Sequence, residues 1–218
     1  MVLHGKYIAA FGLAVALLPI GAAAQDDLKS VLDRLNLTAA NFHSTSANVE
    51  FDTIETDPVP DTDVQKGVVY YDRKSGSVRM GVHLNEHNGN SGKSAAKEYT
   101  FADGALKLFE PGTDQVTTYA KAGKYEGYLI LGFGASGNDL AAKWDIKYLG
   151  SENVSDGKNT VKTAKLELVA KDPDVRKNLM KVTIWLDPDH AVSLKQIFTL
   201  SATSTWVCQY SNFKFNPS

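Results

Sequence analysis

From residue 44 onward the chain repeats a period of two. Segments 48–56, 67–73, 76–85, 97–102, 144–149, 159–170, 176–186, 192–200 and 203–215 are rich in β-branched and aromatic residues and alternate in polarity. Turn formers separate them: Lys74-Ser75-Gly76, Asn88-Gly89-Asn90-Ser91-Gly92, Asp103-Gly104, Pro111-Gly112, Asp156-Gly157, Asp172-Pro173 and Asp187-Pro188. Short turns join neighbours antiparallel, so the pattern predicts one sheet of about ten or eleven strands. Strand twist forbids so wide a sheet from staying flat, and it must curl. One face is apolar, as Val78, Met80, Val82 and Leu84 show in one strand and Val182, Ile184 and Leu186 in another. The expected fold is mainly β: a single curled antiparallel sheet, an incomplete half-barrel with an apolar hollow.

Ahead of the sheet lie two different segments. Residues 1–24 carry Lys6, then an apolar run from Tyr7 to Ile20, then Ala22-Ala23-Ala24 before Gln25. That order matches a cleaved export signal, and the run is shorter than the roughly 20 apolar residues of a membrane span. The expected division is a leader over 1–24 and one domain over 25–218, soluble in an exported compartment after cleavage. Beyond the leader, Leu28, Val31, Leu32 and Leu35 recur at helical spacing, predicting an amphipathic helix over about 26–40 that covers part of the sheet. The central short helices described next would complete the cover.

Residues 125–143 break the alternation. Glycines at 127, 132, 134 and 137 flank Leu129-Ile130-Leu131, and the helix-forming 138–142 follows with Asn138 as a cap. A crossover or a mobile lid both fit. Gly132, Gly134 and Gly137 also match the dinucleotide-binding pattern, but only about seven helical residues precede Trp144, fewer than the dozen or so of a parallel crossover. Nucleotide binding is therefore not expected. With a net charge of −2 and 22% charged residues, the chain has no basic footprint for nucleic acid. The lone Cys208, alternating with Trp206 and Tyr210, reads as a small buried hydrophobe.

The enzymatic signals are thin. His83, Glu86 and His87 match an inverted zinc-hydrolase signature, whose chemistry needs the histidines on one helical face. Here they close a strand, where a polar strand end is the simpler reading. No Gly-x-Ser-x-Gly elbow is present and the carboxylates are dispersed. No enzyme activity, cofactor or metal is expected.

Several stretches, taken in order, resemble the LolA family of periplasmic lipoprotein carriers: GVVYYDRKSGSVRM at 67–80, DGALKLFEP at 103–111, YLILGFGASGNDLAAKWDI at 128–146, IWLDPDHAVSLKQIFTL at 184–200 and WVCQYSNFKFN at 206–216. The resemblance implies a monomeric carrier that takes acylated lipoproteins from an inner-membrane lipoprotein-releasing ABC transporter complex. It would deliver them to an outer-membrane lipoprotein acceptor. It also implies that Arg73 latches the lid by hydrogen-bonding its backbone. By parity, the cavity wall would comprise Val78, Met80, Val82, Phe101, Leu108, Val182, Ile184 and Leu186. The lid side would comprise Leu28, Val31, Leu32, Leu35, Leu129, Ile130 and Leu131. Two alternatives stay open: binding or sensing of another amphiphile such as a glycolipid or phospholipid, and zinc-dependent hydrolysis at His83, Glu86 and His87.

Overall fold

The computed structural model describes residues 20–74, 77–122 and 126–216, so the expected leader lies outside the described residues except for its last five. Among these residues twelve strands form one antiparallel sheet, where the alternation predicts about ten or eleven, and it does not close into a barrel. The first half runs β1 (Ser44–Glu55), β2 (Asp61–Lys74), β3 (Ser77–His87), β4 (Asn90–Ser91), β5 (Lys97–Ala102), β6 (Ala105–Glu110) and β7 (Gln115–Tyr119). The second runs β8 (Trp144–Ser155), β9 (Thr160–Ala170), β10 (Lys181–Asp187), β11 (Val192–Thr199) and β12 (Ser204–Phe215).

The order across the sheet is β7-β6-β5-β3-β2-β1-β12-β11-β10-β9-β8, with the two-residue β4 on the side of β3. Two meanders therefore meet at the centre, where β1 pairs with β12 from Thr45↔Phe215 to Glu55↔Ser204. Their outer strands, β7 and β8, are the two edges, and they are consecutive in the chain. The segment between them must travel from one edge to the other, and over a curled sheet it crosses the hollow. It carries α2 (Glu126–Leu129) and α3 (Gly137–Lys143). The lid-like break in the sequence is thus a consequence of topology.

Helix α1 (Ile20–Ala39) begins earlier than the amphipathic pattern indicates, because Ala22-Ala23-Ala24 propagates a helix readily. Among the described residues no helix is long and apolar enough to cross a membrane. Helix α1 lays Leu35 onto a closed core with Leu166, Leu168, Val182, Ile184 and Leu186 from β9 and β10. Helix α3 is capped by Ser136 rather than Asn138: the Ser136 hydroxyl accepts from Asp139 N at 3.1 Å, and the Asp139 carboxylate accepts from Ser136 N in return. The expected strand over 176–186 starts only at Lys181, because Asp172 caps a short helix, α4 (Pro173–Arg176), with proline in its first turn.

Candidate ligand cavity and its lid

Apolar side chains of β1, β2, β3, β11 and β12 point to the concave face: Val49 and Phe51, Val69 and Tyr71, Met80, Val82 and Leu84, Phe198, and Trp206, Cys208 and Tyr210. They surround a cavity of about 970 Å³, at the upper end of the roughly 300–1,000 Å³ typical of small-molecule sites. Lys121 is the one charged side chain among the described lining residues, and it is exposed. Burial pushes the Cys208 thiol up to about 12 and raises the Tyr71 and Tyr210 phenols, so all three are neutral at physiological pH. A neutral, mostly hydrocarbon wall suits an apolar guest.

The crossing segment is tied down at one end of this hollow. Phe133 is fully buried, stacked on Tyr71 with ring centroids 3.8 Å apart and edge-on to Tyr210 at 5.0 Å. Around it the backbone pairs with the start of β11: Ser193 N donates to Gly132 O at 2.7 Å and Gly134 N to Ala191 O at 2.8 Å. Two side chains reach in from the sheet. Gln196 Nε2, buried in the cavity wall, donates to Leu131 O at 2.6 Å, and its Oε1 accepts from the Tyr210 hydroxyl at 3.2 Å. Arg73 Nη2 donates to Gly134 O, while its Nη1 donates to Ala39 O at the end of α1 at 2.9 Å. One guanidinium thus links the last turn of the long helix to the lid. Its Nε is buried without a partner among the described residues.

The glycines of the dinucleotide-like pattern serve this packing. Gly132 and Gly134 have φ of +74° and +69°, which side chains rarely adopt. A Cβ on Gly132 would lie 2.7 Å from Ser193 Cβ, and one on Gly134 would enter the Phe42 ring. Close approach of protein to protein, not to a phosphate, accounts for them.

The structure distributes the residues named from sequence over two environments. Met80, Val82 and Leu129 border the cavity. Val78 and Phe101 share the inward face with Met80 but are buried in the adjoining core, and Ile130 packs against it. Leu108 is half-buried further along β6, opposite Thr117, whereas Leu106, opposite Tyr119 where the chain leaves for the lid, borders the open space. Val182, Ile184 and Leu186 do not line it, because α1 lies over their strand. Leu28, Val31, Leu32, Leu35 and Leu131 pack with them in that closed core. The sequence reading missed Phe51, Gln65, Tyr71, Gln196 and Phe198 as wall residues. The parity of β1 and β12 marks a buried face, but it does not say whether protein or open space lies opposite.

The histidines are placed otherwise than a zinc hydrolase needs. Lys66 pairs with Glu86 and Gly67 with Leu84, so Asn85 is an extra, bulged residue. His83 then lies opposite Val68 and His87 opposite Gln65, on opposite faces of the sheet. His83 Nδ1 meets Glu98 at 3.3 Å and His87 Nε2 meets Asp63.

No family model and no curated protein matches the chain. Among solved structures, the chain is similar in fold to the MucA/MucB complex of Pseudomonas aeruginosa (16% identity, TM-score 0.48), over 88% of this chain and 58% of that one. It therefore spans less than two thirds of that protein's length. It is also similar to a LolA superfamily protein from Nitrosomonas europaea (15% identity, TM-score 0.40), over 88% of this chain and 94% of that one. A third is LprF from Mycobacterium bovis (11% identity, TM-score 0.42), over 88% and 95% respectively.

Proposed function

We propose that this chain is an exported carrier that shelters the acyl chains of lipoproteins in its cavity and ferries them from the inner to the outer membrane. Residues 1–24 would serve as the export signal and 25–218 as the carrier domain. The observation that carries the reading is the cavity itself: about 970 Å³ of open space with an almost uncharged wall, crossed by a segment that hydrogen bonds hold in place. Exposing a methylene to water costs about 0.8 kcal/mol, so two or three acyl chains of about 15 carbons amount to tens of kcal/mol. Such a molecule needs a host to leave its bilayer, and a concave apolar sheet is one. In this reading the releasing ABC transporter complex loads the carrier and an outer-membrane acceptor empties it. No reaction is assigned to the site.

Arg73 takes the role of latch, since it joins α1 to the lid through two backbone carbonyls. A ligand that fills the hollow must displace the lid, and release requires the closed state to compete. The test is mass spectrometry of what co-purifies with the mature protein from its native periplasm without detergent. Acylated lipoproteins, enriched on Arg73→Leu because it loads but does not pass cargo on, are the expected result. A phospholipid or glycolipid in their place would keep the cavity and change the cargo. Nothing apolar, together with bound zinc, would overturn the carrier.

A further inference from the structure

The two edges of the sheet are built differently. At β8, helices α1 and α3 lie against the strand, Asp145, Lys147 and Glu152 put charges on it, and the register shifts between Tyr148 and Gly150. The tip beyond β8 bends back onto β12, where Asn212 N donates to Asp156 O at 2.6 Å. Helical cover, charge and a bulge are the usual protections of a strand that must not recruit another.

Among the described residues strand β7 has none of them. Its sequence is Gln115-Val116-Thr117-Thr118-Tyr119, neutral throughout, β-branched or aromatic in four positions, without proline. All five residues are exposed, and the register with β6 runs unbroken from Leu106↔Tyr119 to Glu110↔Gln115. Among the described residues β7 pairs with β6 alone, so its outer backbone groups form an open template. It also ends at the cavity. Tyr119 borders the hollow while half in solvent, and Ala120, Lys121 and Ala122 continue the wall. The mouth and the open edge are continuous.

We infer that β7 is the docking strand for the polypeptide of an acylated cargo: with the acyl chains in the cavity, the extended peptide that follows the lipidated residue adds to the sheet along 115–119. This rests on the carrier reading and supplies what the cavity lacks, a means of telling a lipoprotein from free lipid. Strand addition binds through main-chain hydrogen bonds and is tolerant of side chains, which suits a carrier of many cargoes. Five residues span about 17 Å, enough for a few such bonds. Val116, alternating to the other face and exposed, leaves only weak sequence preference to side chains.

The test uses the mature protein and three probes: a diacylated cysteinyl peptide of neutral sequence, the same lipopeptide with its backbone amides N-methylated, and diacylglycerol with the same acyl chains. Binding is followed by calorimetry and by hydrogen exchange. The unmodified lipopeptide should bind about tenfold or more tighter than either other probe, the worth of one or two net hydrogen bonds. Alternate amides within 115–119 should become protected only with it. Equal affinity for all three with β7 unchanged would overturn the docking strand and leave the carrier intact. No binding by any probe would overturn the carrier reading itself.

Discussion

The two halves of the concave face come from one sequence pattern and end in opposite states. Over β9 and β10 the apolar residues are sealed: Leu35 of α1, Leu166, Leu168, Val182 and Ile184 are all completely buried. Over β1, β2, β3 and β12 residues of the same parity, such as Phe51, Val82 and Trp206, face open space. Width explains the difference. A helix is about 10–12 Å across and strands are about 4.8 Å apart, so one helix covers two or three strands of a sheet this broad. Alternation announces an apolar face, and the number of covering elements decides how much of it becomes core.

Substitutions can break this comparison. The largest expected effect is in the sealed half: Ile184→Ala should cost about 2–5 kcal/mol in urea unfolding. Val82→Ala in the open half should cost under about 1.5 kcal/mol, since the lost methyls already face a cavity, and should instead weaken binding of an apolar probe. Equal costs would mean that the two halves are packed alike. Next comes Arg73→Leu, which leaves the carbonyls of Ala39 and Gly134 without their donor, a loss of about 1–3 kcal/mol. Faster hydrogen exchange should be confined to the lid and the end of α1. Gln196→Leu removes the donor to Leu131 O and the acceptor of the buried Tyr210 hydroxyl, and should cost about 1–3 kcal/mol, with faster exchange centred on 131–134.

The last prediction, and the sharpest on the cavity, concerns Cys208. Burial pushes its thiol up to about 12 from 9.0, so its contribution to stability is complete below pH 9.0 and declines as the pH rises toward 12. At pH 8 alkylation should run far slower than for free cysteine and quicken with each step in pH. An apolar ligand should slow it further, because Cys208 lines the hollow. An unchanged rate with ligand present would place the ligand elsewhere.

Much of the sheet was readable because β-branched alternation and Asp-Gly or Asp-Pro turns are local signals. Strand β7 left no such mark: exposed on both faces, it has no alternation to show. Ser136 displaced Asn138 as cap because the Asp139 three residues on completes a reciprocal pair with it, a detail of one turn. For the cavity, Met80 and Val182 looked equivalent, each an apolar residue at an inward position. Only the path of α1 separates them. Arg73 was singled out by family resemblance, yet its acceptors lie 34 and 61 residues away, beyond any local pattern.

The sequence by itself determined that the chain makes a wide antiparallel sheet with one apolar face, because period and turn chemistry act over a few residues. It also determined where the sheet is interrupted. Tertiary structure decided which stretch of that face is core and which is cavity, that the interruption bridges the two edges, and that one edge is shielded and the other bare. Those outcomes depend on what stands opposite a residue across the fold, and no neighbour in the chain carries that information.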